Sequence, residues 1–223
     1  ALPNNFASEW VDAISSEFPD SAMLDLSADY RFDPTWTYGL PERFRKRISV
    51  ARRISNPGCY ATGSQLGLLP FKDHLSEAPV IFGVSGFSGA GKTSSRKNDP
   101  EVLRDNLVPY ALCGHVHEKE ISKQLGMHVR FMPHVASFFR GISLTISFRL
   151  DHRTSAEALE SAFRQYYQDE PRIKVSGVMP EVRQVQGTAD ALIGGFTVDA
   201  RDQTRACLVV ALDNLLKGAA SQA

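Results

Sequence analysis

The amino-acid sequence predicts an α/β segment that passes into a larger α+β part built on a mixed or antiparallel sheet. Three observations carry that expectation. A helical pattern from Phe6 to Phe18, with Phe6, Trp10, Val11 and Ile14 on one face, precedes the apolar run Ala22 to Ser27. Helix followed by buried strand is the rhythm of α/β chains. The turn Asn56-Pro57-Gly58 then joins a short strand to a second helix. In the second half, Gly141 to Leu150 alternates apolar and polar side chains, as a strand with one buried face does, and further strand-like runs follow.

Taken in order, Asn4 or Asn5 is placed to cap the first helix. Ser27 to Leu40, with Tyr30, Phe32, Trp36 and Tyr38, reads as irregular, with a turn at Asp33-Pro34. Pro41 suits the first position of a short basic helix ending at Ile48, whose Arg43, Arg45, Lys46 and Arg47 read as a solvated face. Strands are expected at Ala51–Ser55 and Pro79–Ser85, around a helix over Ala61–Leu69. Glu101–Asn106 reads as a short helix or turn and Leu107–Gly114 as a strand, with a helix starting at His117. His128–His134 reads as a strand stopped by Pro133, and Val135–Arg140 as a loop. After the long strand comes an amphipathic helix, Ser155–Gln168, with Ala158, Leu159, Ala162 and Phe163 inward. Strands follow at Arg172–Val175, Val182–Val185, Ala191–Val198 and Ala206–Val210, and a helical start follows Asp213.

Composition excludes several function classes. The 223 residues are 43% hydrophobic and 22% charged, ordinary for a soluble globular protein. A formal net charge of +0 gives no reason to expect nucleic acid or an anionic membrane as partner. No apolar run reaches the length of a membrane span, and Ala1 to Asn5 lack the basic start of a secretory leader. Cys59, Cys113 and Cys207 are an odd, scattered set without C-x-x-C spacing. They point to a reducing compartment, with neither a disulfide framework nor a metal cluster.

The chemistry concentrates at Ser55-Asn56-Pro57-Gly58-Cys59-Tyr60. Pro57 fixes φ and Gly58 allows a tight corner, so Cys59 falls in the first turn of a helix. Unpaired N–H groups and the helix dipole favour negative charge there, which predicts a lowered thiol pKa and a ready oxyanion site. The plainer reading is a small buried residue beside a turn. His115 and His117 share a face if extended, and Glu120 falls one helical turn beyond His117. A carboxylate there would orient the imidazole and raise its pKa for acid–base work. The alternatives are a capping or surface pair, or two metal ligands lacking a third. Arg140, just before Gly141 at a strand start, can grip a carboxylate or phosphate as a fork, or be an ordinary surface arginine.

Gly86 to Thr93 matches the phosphate-loop pattern G-x-x-x-x-G-K-[ST] letter for letter. That loop needs a helix directly after it, and Ser94 to Pro100 has no helical periodicity, so the nucleotide-triphosphatase reading fails on context. Asp213, after an apolar run, would be its magnesium carboxylate and carries little weight alone. The loop and Lys92 keep the capacity to bind a single phosphate or carboxylate.

The ordered set Asp25-Leu26-Ser27-Ala28-Asp29-Tyr30-Arg31, Ser55-Asn56-Pro57-Gly58-Cys59-Tyr60, Gly83-Val84-Ser85-Gly86…Ser88-Gly89-Ala90-Gly91, Gly114-His115-Val116-His117…Glu120, Met132-Pro133-His134…Arg140-Gly141-Ile142 and Asp213-Asn214-Leu215-Leu216-Lys217-Gly218 spans essentially the whole chain. It resembles the N-acetyl-γ-glutamyl-phosphate reductases of arginine biosynthesis and, more widely, the phosphorylating aldehyde dehydrogenases. The resemblance implies a remnant of a Rossmann-type parallel sheet over 1–57, a mixed-sheet catalytic and dimerisation domain over 58–205, and a return to the dinucleotide-binding domain over 206–223. It implies NADPH-dependent reduction of N-acetyl-L-glutamyl 5-phosphate through a thioester on Cys59. His117 would move the proton, with His115 second and Glu120 as its orienter. Arg140, His134 and Asn56 would meet the substrate or its phosphate, and Ser27, Ser85, Gly86, Gly89 and Asn214 would lie toward NADP. No metal is implied. The partners would be the small-molecule substrate and further copies of the chain, as a dimer or tetramer, in the cytoplasm.

Family members open with a glycine-rich strand–turn–helix that has no counterpart in this sequence, and the closing helix is short. The resemblance therefore implies a catalytic half with little NADPH-dependent turnover of its own. Two other classes fit the same residues. One is a cysteine/histidine acyl hydrolase or transferase that needs no nicotinamide. The other is an inactive truncated oligomerisation domain with an unreactive Cys59.

Overall fold

The computed structural model describes residues 2, 4–91 and 93–222. Lys92 of the phosphate-loop pattern lies outside the described residues. Helix α1 (Ala7–Glu17) precedes a small parallel sheet ordered β1 (Met23–Asp25), β3 (Arg53–Ser55), β2 (Thr37–Tyr38). Helix α2 (Pro41–Ile48) lies between β2 and β3 in sequence, with Pro41 in its first turn. The α/β start expected from sequence is this unit. Its α1 cap differs from expectation: Asp29 accepts the backbone N–H groups of Asn5 and Ala7, at 2.7 and 3.1 Å, in place of a local asparagine. A long-range carboxylate is both an acceptor and a charge for the helix N-terminus.

The second sheet has seven strands: β4 (Val80–Gly86), β5 (Leu107–Pro109), β6 (Arg130–Ala136), β7 (Ile142–Arg149), β8 (Ile173–Ser176), β9 (Ala191–Val198) and β10 (Arg205–Leu212). Their order is β5-β6-β4-β7-β10-β9-β8. The β4–β6 and β8–β9 pairs are parallel and the rest antiparallel, which is the mixed sheet expected. One face carries Ile81, Phe131, Leu144, Ile146, Leu208, Val210 and Leu212, all essentially buried. Helices α3 (Cys59–Leu66), α5 (Val116–Leu125) and α6 (Ala156–Tyr166) cover that face, and the short α4 (Pro100–Leu103) leads into β5. Gly63 and Gly67 let α3 lie on it: a methyl at either would stand 2.5 Å from Leu144 or Ile146. Tyr167 closes the far end of α3 by donating its hydroxyl to the Leu66 carbonyl at 2.7 Å. The opposite face presents Phe82, Val84, Met132, His134, Thr145 and Thr197, all partly or fully exposed.

Several boundaries move for local reasons. Strand β6 runs through Pro133 rather than stopping there. The Pro133 carbonyl accepts from Tyr110 N–H, on the side of β5, which has already ended at Pro109, so the missing N–H costs little. Val182–Gln184 is a 3₁₀ turn rather than a strand, because Glu181 and Gln184 close a capping box across it. Only Leu107–Pro109 of the expected Leu107–Gly114 strand pairs, since Ala111 and Gly114 take positive φ. The last expected helix is a single wide turn, Leu216–Ala220.

Candidate active site

Cys59 is the first residue of α3, directly after the extended Gly58. Its side chain is partly exposed, while Ser55, Asn56, Pro57 and Gly58 before it are buried. Two parts of the chain far away in sequence close on it. Gly218 packs flush against it: a methyl there would lie 2.6 Å from Cys59 Cβ. Gly58 does the same for two polar side chains, since a methyl on it would lie 2.2 Å from His117 Nε2 and 2.8 Å from Arg31 Nη1. Glycine at 58 is what lets an imidazole and a guanidinium reach the residue before the thiol. Gly58→Ala is therefore expected to push His117 aside and slow Cys59 alkylation by iodoacetamide at least about tenfold, a shift of roughly 1.4 kcal/mol in barrier. A rate within twofold of the parent would show that the close approach is unimportant.

The local pattern predicted a lowered thiol pKa, and the structure reverses it. Burial pushes the Cys59 thiol up to about 11; the Arg31 charge and the Tyr60 N–H oppose this without overcoming it. Desolvation of the anion outweighs the helix N-terminus in the free protein.

Glu120 is tied to the cysteine turn and makes no hydrogen bond to His117. Its buried carboxylate accepts from Gly58 N–H at 2.9 Å and Tyr38 OH at 2.7 Å, and pairs with Arg31 Nη1 at 3.3 Å. Gln65 donates to Tyr38 OH at 2.8 Å, and Arg31 Nε donates to the Asn56 carbonyl at 2.8 Å. The expected orienter of the imidazole is thus the anchor of the turn before Cys59. Asn56 ties the small sheet to the closing turn: its N–H bonds the Asp25 carbonyl at 2.7 Å and its Nδ2 the Ala219 carbonyl at 3.2 Å. Asn56 Oδ1 is buried without a partner.

His115 and His117 divide the two roles suggested for them. His115 caps α5, its Nδ1 accepting the His117 N–H at 3.1 Å. His117 lies edge-on to Tyr60, and its Nδ1 is buried and unpartnered. Burial, with the Lys97 charge, lowers the His115 pKa from 6.5 to about 4; burial, His115 and Arg31 lower His117 well below 6.5. Both imidazoles are neutral at pH 7. The folded state resists protons that the unfolded chain accepts, so their contribution to stability is intact above about pH 6.5 and is lost as pH falls toward 4. The expected slope is at most about 1.4 kcal/mol per pH unit per imidazole. Urea denaturation at several pH values checks it, with H117N showing the shallower fall.

A second cluster borders Cys59 through Gly218. Asn214 is buried; its Oδ1 accepts Gly141 N–H at 2.7 Å and its Nδ2 donates to Ser88 Oγ at 2.9 Å. A methyl on Gly89 would stand 3.0 Å from Ser85 Oγ and 3.5 Å from Asn214 Nδ2, and Gly86 packs against the Phe139 backbone. Ser85, Gly86, Gly89 and Asn214 are thus brought together. Arg140 Nε lies 2.6 Å from the fully buried Asp213, off the line of its N–H, while the side chain keeps partial exposure. Burial pushes the Asp213 carboxyl up, but Arg140 and the Gly187 and Leu215 N–H groups more than offset it and hold it below its ordinary value. Asp213 is therefore an anchor for Arg140, not a magnesium ligand.

Two expected residues fall elsewhere. His134 stacks on Phe82 at 4.4 Å, on the open face of the sheet, while its carbonyl accepts from Tyr60 OH on the Cys59 side. The alternation of β6 turns its ring away from the thiol. Ser27 stands beyond β1 of the small sheet, its hydroxyl held by Asp25 at 2.8 Å. Arg31, Tyr38, Gln65 and Gly218 were not singled out from sequence. Gln65, a polar residue among the small and apolar ones of its helix, is the one with a local signal.

The fold is that of a semialdehyde-dehydrogenase type of chain: residues 59–214 match the family described as semialdehyde dehydrogenase, dimerisation domain. Aspartate semialdehyde dehydrogenase II from Vibrio cholerae, solved as a complex with ASA, superposes with a TM-score of 0.81 over 100% of this chain and 75% of that one, at 17% identity, a likeness of fold. N-acetyl-gamma-glutamyl-phosphate reductases from Xanthomonas campestris pv. campestris (strain B100) and Stenotrophomonas maltophilia (strain R551-3) are 51% and 52% identical over all 223 residues, which span 70% of each relative. The chain belongs to the N-acetyl-gamma-glutamyl-phosphate reductase family.

Proposed function

We propose that this site reduces N-acetyl-L-glutamyl 5-phosphate to N-acetyl-L-glutamate 5-semialdehyde and phosphate, in arginine biosynthesis, with Cys59 as nucleophile. The observation that supports it is a partly exposed thiol at a helix N-terminus, with His117 and Arg31 closed over Gly58 beside it. Neutral His117 takes the thiol proton as Sγ attacks the acyl carbon. The C–S bond forms, the bond to the phosphate oxygen breaks, and phosphate leaves with the electron pair. N–H groups of the α3 N-terminus face the developing oxyanion. The same imidazole holds the proton needed at that oxygen when the thioester is reduced. Arg140, Asn56 and the α3 N-terminus are the proposed grips for the substrate's anionic groups. His134 has a place in that set only if a ligand reaches the open face.

The family's reductase activity and the dehydrogenase fold imply a nicotinamide cofactor, and we assign NADP. When bound, it supplies the hydride that takes the thioester to the aldehyde level. The side-chain-free recess at Gly89, beside Ser85 and the second N–H of Asn214, fits a planar carboxamide. Ser27, at the carboxyl end of β1, belongs to the part that would hold the rest of the dinucleotide. In this reading 1–57 and 206–223 belong to the dinucleotide-binding unit and 58–205 to the catalytic and dimerisation unit. No helix among the described residues is long and apolar enough to cross a membrane, and the three free cysteines suit a reducing cytoplasm.

The test is to mix the protein with the acyl phosphate without cofactor. One equivalent of phosphate and a thioester mass on the Cys59 peptide are expected. Continuous phosphate release without cofactor would favour the hydrolase reading. The open face of the large sheet, with Phe82, Val84 and Thr145, is the proposed surface for self-association as a dimer or tetramer. T145K is expected to weaken self-association at least about tenfold, roughly 1.4 kcal/mol, in sedimentation velocity. An unchanged assembly would place the contact elsewhere.

A further inference from the structure

We propose that His74, Asp151 and His152 form a surface site for one divalent transition-metal ion of the zinc or nickel type. Among the described residues they are the one group of three or more such side chains whose ligand atoms all lie within 4.8 Å of one another. His74 ends the 3₁₀ turn Leu69–His74 that follows α3, and Asp151 and His152 follow the end of β7. The two backbones are pinned together. Leu75 and Leu150 form an antiparallel bridge, Asp151 N–H donates to the His74 carbonyl at 2.9 Å, and Ser76 N–H donates to the Arg149 carbonyl at 3.0 Å.

The ligand atoms lie close together. His74 Nδ1 lies 3.4 Å from Asp151 Oδ2, and His152 Nδ1 lies 2.5 Å from Asp151 Oδ1. Zinc bonds of about 2.0–2.1 Å set tetrahedral donors roughly 3.4 Å apart, so the first pair already has that spacing and the second needs a small side-chain rotation. Two imidazoles and one carboxylate suit zinc, nickel or copper better than magnesium, which prefers an octahedron of oxygens. The Asp151 carboxylate supplies negative charge to the site. The basic side chains next to the cluster in sequence are engaged elsewhere: Lys72 pairs with Asp73, Arg149 with Glu77 and Asp202, and Arg153 bonds Gln203 Oε1 at 2.8 and 3.0 Å. The three side chains are about half exposed, which leaves a fourth position open to water. A bound ion would clip the segment behind the nucleophile's helix to the end of β7, two stretches 77 residues apart.

The experiment is calorimetric titration of the protein with zinc chloride, after alkylating its cysteines with iodoacetamide so that no thiol competes. One equivalent is expected to bind. H74A and H152A should each weaken it by more than the roughly 10–100-fold that loss of an outer-shell partner costs. H128A, which removes an exposed imidazole outside the cluster, should leave it unchanged. Since His74 and His152 are exposed, both variants should keep the parent's circular dichroism; D151N provides a third variant should either fail to fold. Binding undiminished in H152A, or no saturation below millimolar zinc, overturns the proposal.

Discussion

C59S is expected to lower thioester formation and phosphate release on the order of 10⁴- to 10⁶-fold, the scale on which loss of a nucleophile acts elsewhere. The serine hydroxyl keeps the size of the thiol, and the partly buried pocket around Gly58 and Gly218 stays closed, so stability should change little. Its pKa, however, lies far above that of even the raised thiol, and His117 is too weak a base to ionise it. Rapid quench with the acyl phosphate and mass spectrometry of the Cys59 peptide provide the check. A variant retaining a tenth of the parent's rate would remove Cys59 from the reaction. H117N should retain some acyl transfer while losing most of the rate, because it removes the proposed proton acceptor and leaves Cys59.

E120A is expected to destabilise the fold by about 3–5 kcal/mol, the cost of leaving one partner of a buried ion pair alone. The pair is well enclosed, with side-chain exposures of 9% for Arg31 and 0% for Glu120. The same change strips acceptors from Gly58 N–H and Tyr38 OH, so the turn before Cys59 loosens as well. E120Q, which keeps an acceptor in the same place, should cost less and preserve more of the turn. Urea denaturation reads the first effect, and the pH dependence of Cys59 alkylation the second. If E120A is as stable as its parent, the network around Arg31 is not the anchor described above.

Much of this was legible in the sequence because it depends on short-range patterns. The Asn-Pro-Gly turn, the helix starting at Cys59 and the alternating strand from Ile142 each follow from residues within a turn or a pleat of one another. The order of the motifs indicated the family. What sequence could not show was where long polar side chains end. Glu120 sits one helical turn beyond His117, yet its carboxylate goes to a backbone N–H 62 residues away and to Arg31, 89 residues away. His134 follows Pro133 in a run that matches the family, but its ring falls on the other side of the sheet, since strand phase alone decides the face. The thiol pKa was misjudged for a related reason: the helix terminus is local and visible in sequence, whereas the burial that outweighs it is made by residues as distant as Gly218.

That proton-holding thiol has a consequence for durability. Peroxide and other two-electron oxidants attack the thiolate rather than the thiol. A resting site that keeps Cys59 protonated near neutrality offers such oxidants little to react with. In the reaction proposed above, the anion forms as the acyl carbon arrives, with His117 as the proton acceptor. Under the proposed function, the same burial that raises the Cys59 pKa shelters the thiol between turnovers.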